Sequence, residues 1–557
     1  MTLAYNPALL DVEELVRGFV ARGQLLDQIL DDLRQGRRVH RLLVGQRGMG
    51  KTTLLRRVAA EVARDPALAE RWTALAFPEE QYNVVTLSDF CANCLDAAAD
   101  GLQMAGDHEG ADRIDATLRA LPAAEDARAT YALDHLLALA GAGKRLLLCV
   151  DNLQQVLGRL QEHEQWSLRR VMSETDRLAL LGASPALPEP SVDYGAAFYD
   201  FLQVTRLDAL DFDEAVGMLD ALAEQAGAED LRALLKSRPA RLHALFVLAG
   251  GNPRTVVMLF DLLRVAPGED THRMLEHLVD RATPLYKARF EELAEQAQVV
   301  LGALALHWHP ATAAQLADAT RLDVNTVSTQ LTRLHREGLV LKVDIAGEAR
   351  TGFLVAERFF NIWYLMRASR RSRGRVLGFA RCLEAIYDGD GLRGLALRAL
   401  ASAIPAREAP ELLAEPDDLQ YRGRVEENRR RLEEFTRVAA GLDTSGLGAP
   451  PEDAVVSLAE PRESGPTALT DAIHASVSAG LLDAATRANR SRETYLPLAI
   501  AIDVAVAKDA SLLSRYAPEV QTAARKLLDD LWPEHAELPP PAGPTSRRKP
   551  TRRSRRC

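Results

Sequence analysis

The sequence predicts an α/β core, a parallel sheet covered by helices, followed by a helical lid, a winged helix and an all-α C-terminal domain. Three observations predict this. Between residues 37 and 210, short apolar runs alternate with amphipathic helical patterns, as parallel strands joined by helices require. The first apolar run ends in a glycine-rich loop that opens directly into a helical pattern. From Asp211 onward the strand signals stop, except for one hairpin pattern at 340–355.

Each element has its own reason. Residues 9–35 form two helical runs: Val12, Leu15, Val16 and Phe19 share one face, and Leu26, Ile29, Leu30 and Leu33 share the next, after a break near Gly23. "RVHRLLVG" reads as a buried strand ending at Gly45. From Lys51, a helix places Leu54, Leu55, Val58, Ala59 and Val62 on one face. Further strands are expected at 72–77, 145–150, 177–183 and 201–207, separated by helices at 84–104, 126–140 and 161–174. Residues 211–263 carry helical patterns only. Residues 296–355 read as three helices and a hairpin, with Asp323 as an N-cap and Gly338 as a C-cap. Beyond 357 the chain is helical to about 532, with no fixed-period repeat.

Composition bounds the functional classes. A chain of 557 residues is too long for one core. The net charge is −10, although the last thirteen residues, "TSRRKPTRRSRRC", carry seven cations and no acid. The body is therefore acidic and the tail basic, so a polyanion must be met by local patches. Five scattered cysteines fit reduced thiols, not a disulfide framework. Cys91 and Cys94 lack a second pair and read as core residues one helical turn apart. No signal-peptide pattern opens the chain, and the run "YLPLAIAIDVAVA" is too short to span a bilayer. The expected setting is cytoplasmic, without membrane contact.

Gly45, Gly50, Lys51 and Thr52 satisfy G-x-x-x-x-G-K-[ST]. The glycines let backbone N–H groups of Gly45, Gln46, Arg47, Gly48, Met49, Gly50, Lys51, Thr52 and Thr53 converge on phosphates, and the helix N-terminus adds a favourable dipole. Lys51 is expected to reach the terminal phosphates, and Thr52 to offer its hydroxyl to Mg²⁺. ATP and Mg²⁺ are thus the expected ligands. The loop also needs an acid at the end of a nearby buried strand, and "RLLLCVDN" supplies Asp151 as the second metal-side group. Asn152 follows it, and a carboxamide cannot take a proton from water. Glu79 and Glu80, after the strand at 72–77, are candidates for the missing base; the alternative is a solvated acidic loop.

The segments "FVARGQLLDQIL" (19–30), the phosphate loop, "LCVDN", "LLGASP" and "GGNPRTVVMLF" follow one another in an order that resembles the STAND and AAA+ branches of P-loop ATPases. The likeness is greatest to archaeal-type predicted ATPases and origin-initiator-like proteins. It spans roughly residues 10–360. It implies that Phe19 and Arg22 lie against the adenine, although the family's glycine before the arginine is Ala21 here. It further implies that Ser184 senses the γ-phosphate, that Pro253 lies near the base, and that Arg254 is the lid arginine reaching the γ-phosphate. The implied segments are an N-terminal helical flank (1–36), the P-loop core (37–210), a lid (211–285), a winged helix (286–356), a helical C-terminal domain (357–536) and a Pro-rich linker with a basic tail (537–557).

Two weaker signals concern partners. The third helix of the winged-helix pattern carries Asn325, Thr326, Ser328, Thr329 and Arg333, types that reach base edges or phosphates; the same module in switch ATPases also docks on protein. "MRASRRSRGR" places Arg367, Arg370, Arg371 and Arg373 in a basic run that reads as a nucleic-acid patch or a solvated helix end. "HWH" at 307–309 lacks further ligands and reads as packing. The expected function is a slowly hydrolysing ATPase acting as a nucleotide-controlled switch, with a homo-oligomeric or protein partner. Bacterial defence or signalling is the setting by family analogy. The alternative is a DNA-binding winged-helix regulator or loader.

Overall fold

The structure, a computed structural model, describes residues 10–77, 83–140, 143–192, 194–237, 239–265, 269–387, 496–507 and 509–531. Glu79 and Glu80, residues 388–495, the Pro-rich linker and the basic tail lie outside the described residues. The chain divides into two compact units: residues 1–235, 251–267 and 333–339, and residues 236–250, 268–332 and 340–557.

The first unit opens with α1 (Val12–Gly18), whose Asp11 and Glu14 form a reciprocal cap, and α2 (Gly23–Arg34). Five parallel strands follow: β1 (Arg41–Val44), β2 (Trp72–Ala76), β3 (Arg145–Val150), β4 (Leu178–Ser184) and β5 (Gln203–Arg206). Each overlaps the run read from the sequence, with β4 extending one residue beyond it to Ser184. Their order is β2-β3-β4-β1-β5, with Val44 beside Ser184 and Arg206. One face packs on α2, on α3 (Lys51–Arg64) and on α4 (Pro66–Ala69), through Leu30, Leu54, Val58, Leu68 and Trp72. The other face carries a larger core. Leu75, Leu146, Leu148 and Val150 meet α5 (Leu87–Met104), α6 (His108–Arg119), α7 (Glu125–Leu139), α8 (Leu153–Arg159) and α9 (Glu162–Glu174) there. β3 and β4 are buried on both faces, which is why they read as continuous apolar runs. Helix α6 was not expected; only Gly110, Ala111 and Ile114 of it are buried, too few to show an apolar period.

The helical run after β5 is shared between the units. Helix α10 (Phe212–Gln225) packs on α13 (Pro253–Val265) in the first unit, with α11 (Glu229–Ser237) leading out of it. Helix α12 (Pro239–Ala249) belongs to the second. It is apolar nearly all round, and it buries Leu242, Leu245 and Leu248 among α14 (Thr271–Glu291), α18 (Arg358–Ala368) and α19 (Arg370–Tyr387). The expected three-helix-and-hairpin pattern is present: α15 (Glu295–His307), β6 (Ala311–Thr312), α16 (Ala313–Thr320), α17 (Val324–Arg336), then β7 (Val340–Val343) and β8 (Gly352–Val355). β8 pairs antiparallel with both β6 and β7, the sheet of a winged helix. The C-terminal helices α20 (Leu496–Ala507) and α21 (Pro518–Leu531) pack on each other. Among the described residues no helix is long and apolar enough to cross a membrane.

Two buried histidines make stability pH-dependent. His40 stacks on Phe201 and accepts from the Leu180 N–H at 3.3 Å; burial, reinforced by Arg38, pushes it down to about 4. His309 accepts from the Ala517 N–H at 3.2 Å; burial pushes it down to about 4 against the pull of Glu519. The folded protein therefore holds fewer protons than the unfolded chain between the unperturbed value near 6.5 and about 4, so stability is complete above that window and falls as pH drops through it. Each histidine is expected to cost about 2 kcal/mol on going from pH 7.5 to 5. Urea denaturation at the two pH values checks this, and His40→Asn should remove about half of the difference. An equal pH dependence in wild type and variant would contradict the assignment to His40.

Candidate nucleotide site

The phosphate loop leaves the end of β1 and turns into α3. Gly45 N–H donates to the Ser184 carbonyl at 3.1 Å, fastening the loop to β4. Gly48 and Gly50 adopt left-handed conformations, with φ of 84° and 81°. Lys51 is the first residue of α3 and is buried; its Nζ donates to the carbonyls of Gly45 (2.7 Å) and Gln46 (2.8 Å), which holds it across the loop. The Thr52 hydroxyl is hydrogen-bonded to Asp151 Oδ2, joining the loop to the end of β3 across the intervening β4. Asp151 also accepts from the Asn152 N–H at 2.8 Å. Asn152 has φ of 48° and starts α8; asparagine is among the few side chains that take this conformation readily.

The N-terminus of α13 sits directly on the loop. Asn252 is buried; its Nδ2 donates to the Arg47 carbonyl at 2.9 Å and its Oδ1 accepts from the Arg254 N–H at 3.0 Å. The Arg254 N–H also points to the Gly48 carbonyl at 3.3 Å. A Cβ at Gly48 would lie 2.5 Å from Asn252 Oδ1 and 3.1 Å from the Arg254 Cβ, so the middle of the loop must be glycine for conformation and for space. Gly251 meets the same double demand, with φ of 64° and the Leu210 carbonyl 2.4 Å from where its Cβ would be. This geometry places the Arg254 backbone against the phosphate loop.

Residues 18–181 match the family model of the AAA ATPase domain. None of the curated proteins matches the chain. Solved structures similar to it include the Walker-type ATPase of Pyrococcus abyssi, at 14% identity and TM-score 0.46 over 62% of this chain and 96% of that one. The Orc1 protein of Aeropyrum pernix in complex with DNA is similar at 15% identity and TM-score 0.35, over 64% and 94%. The RuvB Holliday junction branch migration motor of Thermotoga maritima is similar at 16% identity and TM-score 0.30, over 62% and 95%.

Around the phosphate loop, other expected residues take particular places. Arg22 is left-handed and caps no helix with its side chain; its Nε donates to the Met49 carbonyl at 3.3 Å and its Nη2 to the Asp208 carbonyl. Burial lowers its affinity for its proton, with Glu214 and Asp208 opposing. It braces the loop against the segment entering α10. Phe19 is half-buried beneath the Arg57 guanidinium, 5.8 Å from the ring centre. Pro253 is buried at the first position of α13. Ser184 is fully buried, and its hydroxyl lies 2.9 Å from Gln154 Oε1 and in contact with the Ala186 carbonyl, so it orders the turn after β4. Asn252 and Gln154 were missed in the sequence. The signal for Asn252 was available: an asparagine immediately before a proline at a helix start is an N-cap pattern.

The nucleic-acid candidates are dispersed and partly engaged. On α17, Thr326 bonds Asp323 as part of the cap, Thr329 Oγ1 donates to the Asn325 carbonyl at 2.9 Å, and Arg333 pairs with Glu337 at 3.0 Å. Asn325 is exposed and Ser328 is half-exposed. Arg367 pairs with Asp280 at 3.0 Å, and Arg373 pairs with Glu276, whose carboxyl that contact holds below its ordinary range. Arg370 and Arg371 remain exposed. Cys91, Cys94 and Cys149 are buried thiols; burial pushes Cys91 and Cys149 up to about 12 and Cys94 upward as well, which suits core residues rather than reactive ones.

Proposed function

We propose that this protein is an ATP-binding switch: the P-loop holds ATP, turnover is slow, and the α13 N-terminus reports the state of the phosphates. The observation that carries the reading is the direct hydrogen bonding of Asn252 and Arg254 to the carbonyls of Arg47 and Gly48. Any rearrangement of the loop backbone around a γ-phosphate must then move the start of α13.

The donor set fits a magnesium nucleotide. Thr52 and Asp151 put a hydroxyl and a carboxylate in contact at the loop. Among the described residues no group of three or more His, Cys, Asp or Glu side chains could hold a metal alone. Mg²⁺ is commonly bound by one or two protein oxygens plus phosphates, so Thr52 and Asp151 would hold it jointly with the nucleotide. It would neutralise charge on the phosphoryl group. Lys51 supports the same phosphates, and Asn152 occupies the place beside Asp151 without offering a base. Completion of the site by a protein partner or a second copy accounts for regulated turnover.

Turnover by the purified protein is expected well below the ~10 s⁻¹ typical of enzymes. Asn252→Ala, which removes the side-chain bonds to the Arg47 carbonyl and the Arg254 N–H, should leave ATP affinity within a few-fold and shrink any nucleotide-dependent change in hydrogen exchange across α13. Fast hydrolysis by the isolated protein, or unchanged exchange at α13 on adding ATP to the wild type, would overturn the switch reading.

A further inference from the structure

A basic cavity lies at the opposite, N-terminal end of the parallel sheet. A cavity of ≈ 550 Å³ opens at the N-terminal ends of β2, β3 and β4, where Trp72, Arg145 and Arg177 begin or precede their strands. The phosphate loop leaves the opposite, C-terminal edge, so the two sites are separated by the length of the strands, roughly 20 Å. Four cations line the cavity (Arg71, Lys144, Arg145 and Arg177) and one acid, Asp176. In a chain of net charge −10 this is a local reversal of sign.

The three arginines are anchored. Arg71 Nη1 donates to the Arg34 carbonyl at 3.0 Å. Arg145 Nη1 donates to the Gly36 carbonyl at 2.7 Å, and its guanidinium lies 5.6 Å from the centre of the Trp72 ring. The Trp72 indole is itself fixed by donation to the Leu33 carbonyl at 3.0 Å. Arg177 Nη1 reaches the Leu137 carbonyl at 3.4 Å. Each guanidinium has five N–H groups, so these anchors set its orientation and leave most of its donors to face the cavity. Asp176 is 3.6 Å from Arg145 and 79% exposed, too solvated to neutralise the group.

We propose that this cavity binds a small phosphate-bearing ligand, a mononucleotide or another organic phosphate, independently of the P-loop. Anchored guanidiniums match phosphate oxygens in paired hydrogen bonds, and little ordering remains to be done on binding. A concavity lined by one sign of charge concentrates the opposite ion. Its volume falls in the range of small-ligand pockets.

The test uses the full-length protein carrying Lys51→Ala, which silences the P-loop. Titration calorimetry at low salt measures pyrophosphate, a nucleoside diphosphate and a single-stranded oligonucleotide. Adding Lys144→Glu with Arg177→Glu, both on the exposed rim, should leave the thermal melt unchanged and weaken pyrophosphate binding about tenfold or more. Equal binding of pyrophosphate and nucleoside diphosphate would identify phosphate alone as the group read; tighter nucleotide binding would show that a base and sugar are accommodated as well. Pyrophosphate affinity unchanged by the charge reversals would overturn the proposal. So would binding of the oligonucleotide without either small phosphate, which would make the surface a nucleic-acid contact.

Discussion

Lys51→Ala is expected to keep the thermal melt of the wild type and to bind ATP about a hundredfold more weakly or worse. The ammonium is held over the phosphate loop by the carbonyls of Gly45 and Gln46, at 2.7 and 2.8 Å, and is shielded from water by the surrounding backbone. Those contacts tie it to the loop rather than to the core, so its removal leaves the sheet and the α3 packing intact. What disappears is a cation at the place where three or four phosphate charges gather, and charge-assisted hydrogen bonds are about twice as strong as neutral ones. Thr52→Ala should act differently: affinity without magnesium should change little, while the gain on adding magnesium shrinks. Calorimetric titration of both variants, with and without the metal, separates the two effects. Equal ATP affinity in Lys51→Ala and wild type would remove the basis for placing the phosphates at this loop.

The parts of the fold that were legible share a physical cause. The inner strands appear as short apolar runs because they are buried on both faces, as Leu146 and Leu148 on one face of β3 and Leu147 and Cys149 on the other show. The phosphate loop is legible because its glycines are required: Gly48 cannot carry a side chain against Asn252. Helix α6 was missed because so little of it is buried. The contacts of Arg22 with the Met49 and Asp208 carbonyls were not legible, because backbone acceptors leave no mark on composition. The acids that meet the basic run at 367–373, Glu276 and Asp280, were not legible because they stand about ninety residues earlier on another helix. Sequence spacing shows helix neighbours and turn chemistry; it does not show contacts between helices that the chain visits far apart.

Glu519 is the strongest case of such a contact, and Glu519→Ala is expected to destabilise the second unit by about 3–5 kcal/mol. The residue is 3% exposed at the start of α21. Arg358 meets it through two nitrogens, at 3.0 and 2.8 Å, and the Trp308 indole donates to it at 2.5 Å. Burial alone would raise this carboxyl, but Arg358 and Trp308 outweigh it and hold it below its ordinary range. The same Arg358 donates to the carbonyls of Trp308 (3.3 Å) and Val355 (3.2 Å), so one ion pair joins α21, the end of α15 and the strand β8. Trp308 is itself held at a φ of 68°, a conformation unusual for an aromatic residue and kept by these bonds. Truncating the acid leaves a buried guanidinium without its counter-charge, and that uncompensated charge, more than the lost attraction, sets the cost. The double variant Arg358→Met with Glu519→Leu should therefore be more stable than Glu519→Ala alone, although it removes more polar contacts. Urea denaturation followed by the protease resistance of the second unit measures both. A Glu519→Ala protein as stable as the wild type, or a double variant no better than the single one, would show that the pair is not buried in the folded chain as the geometry requires.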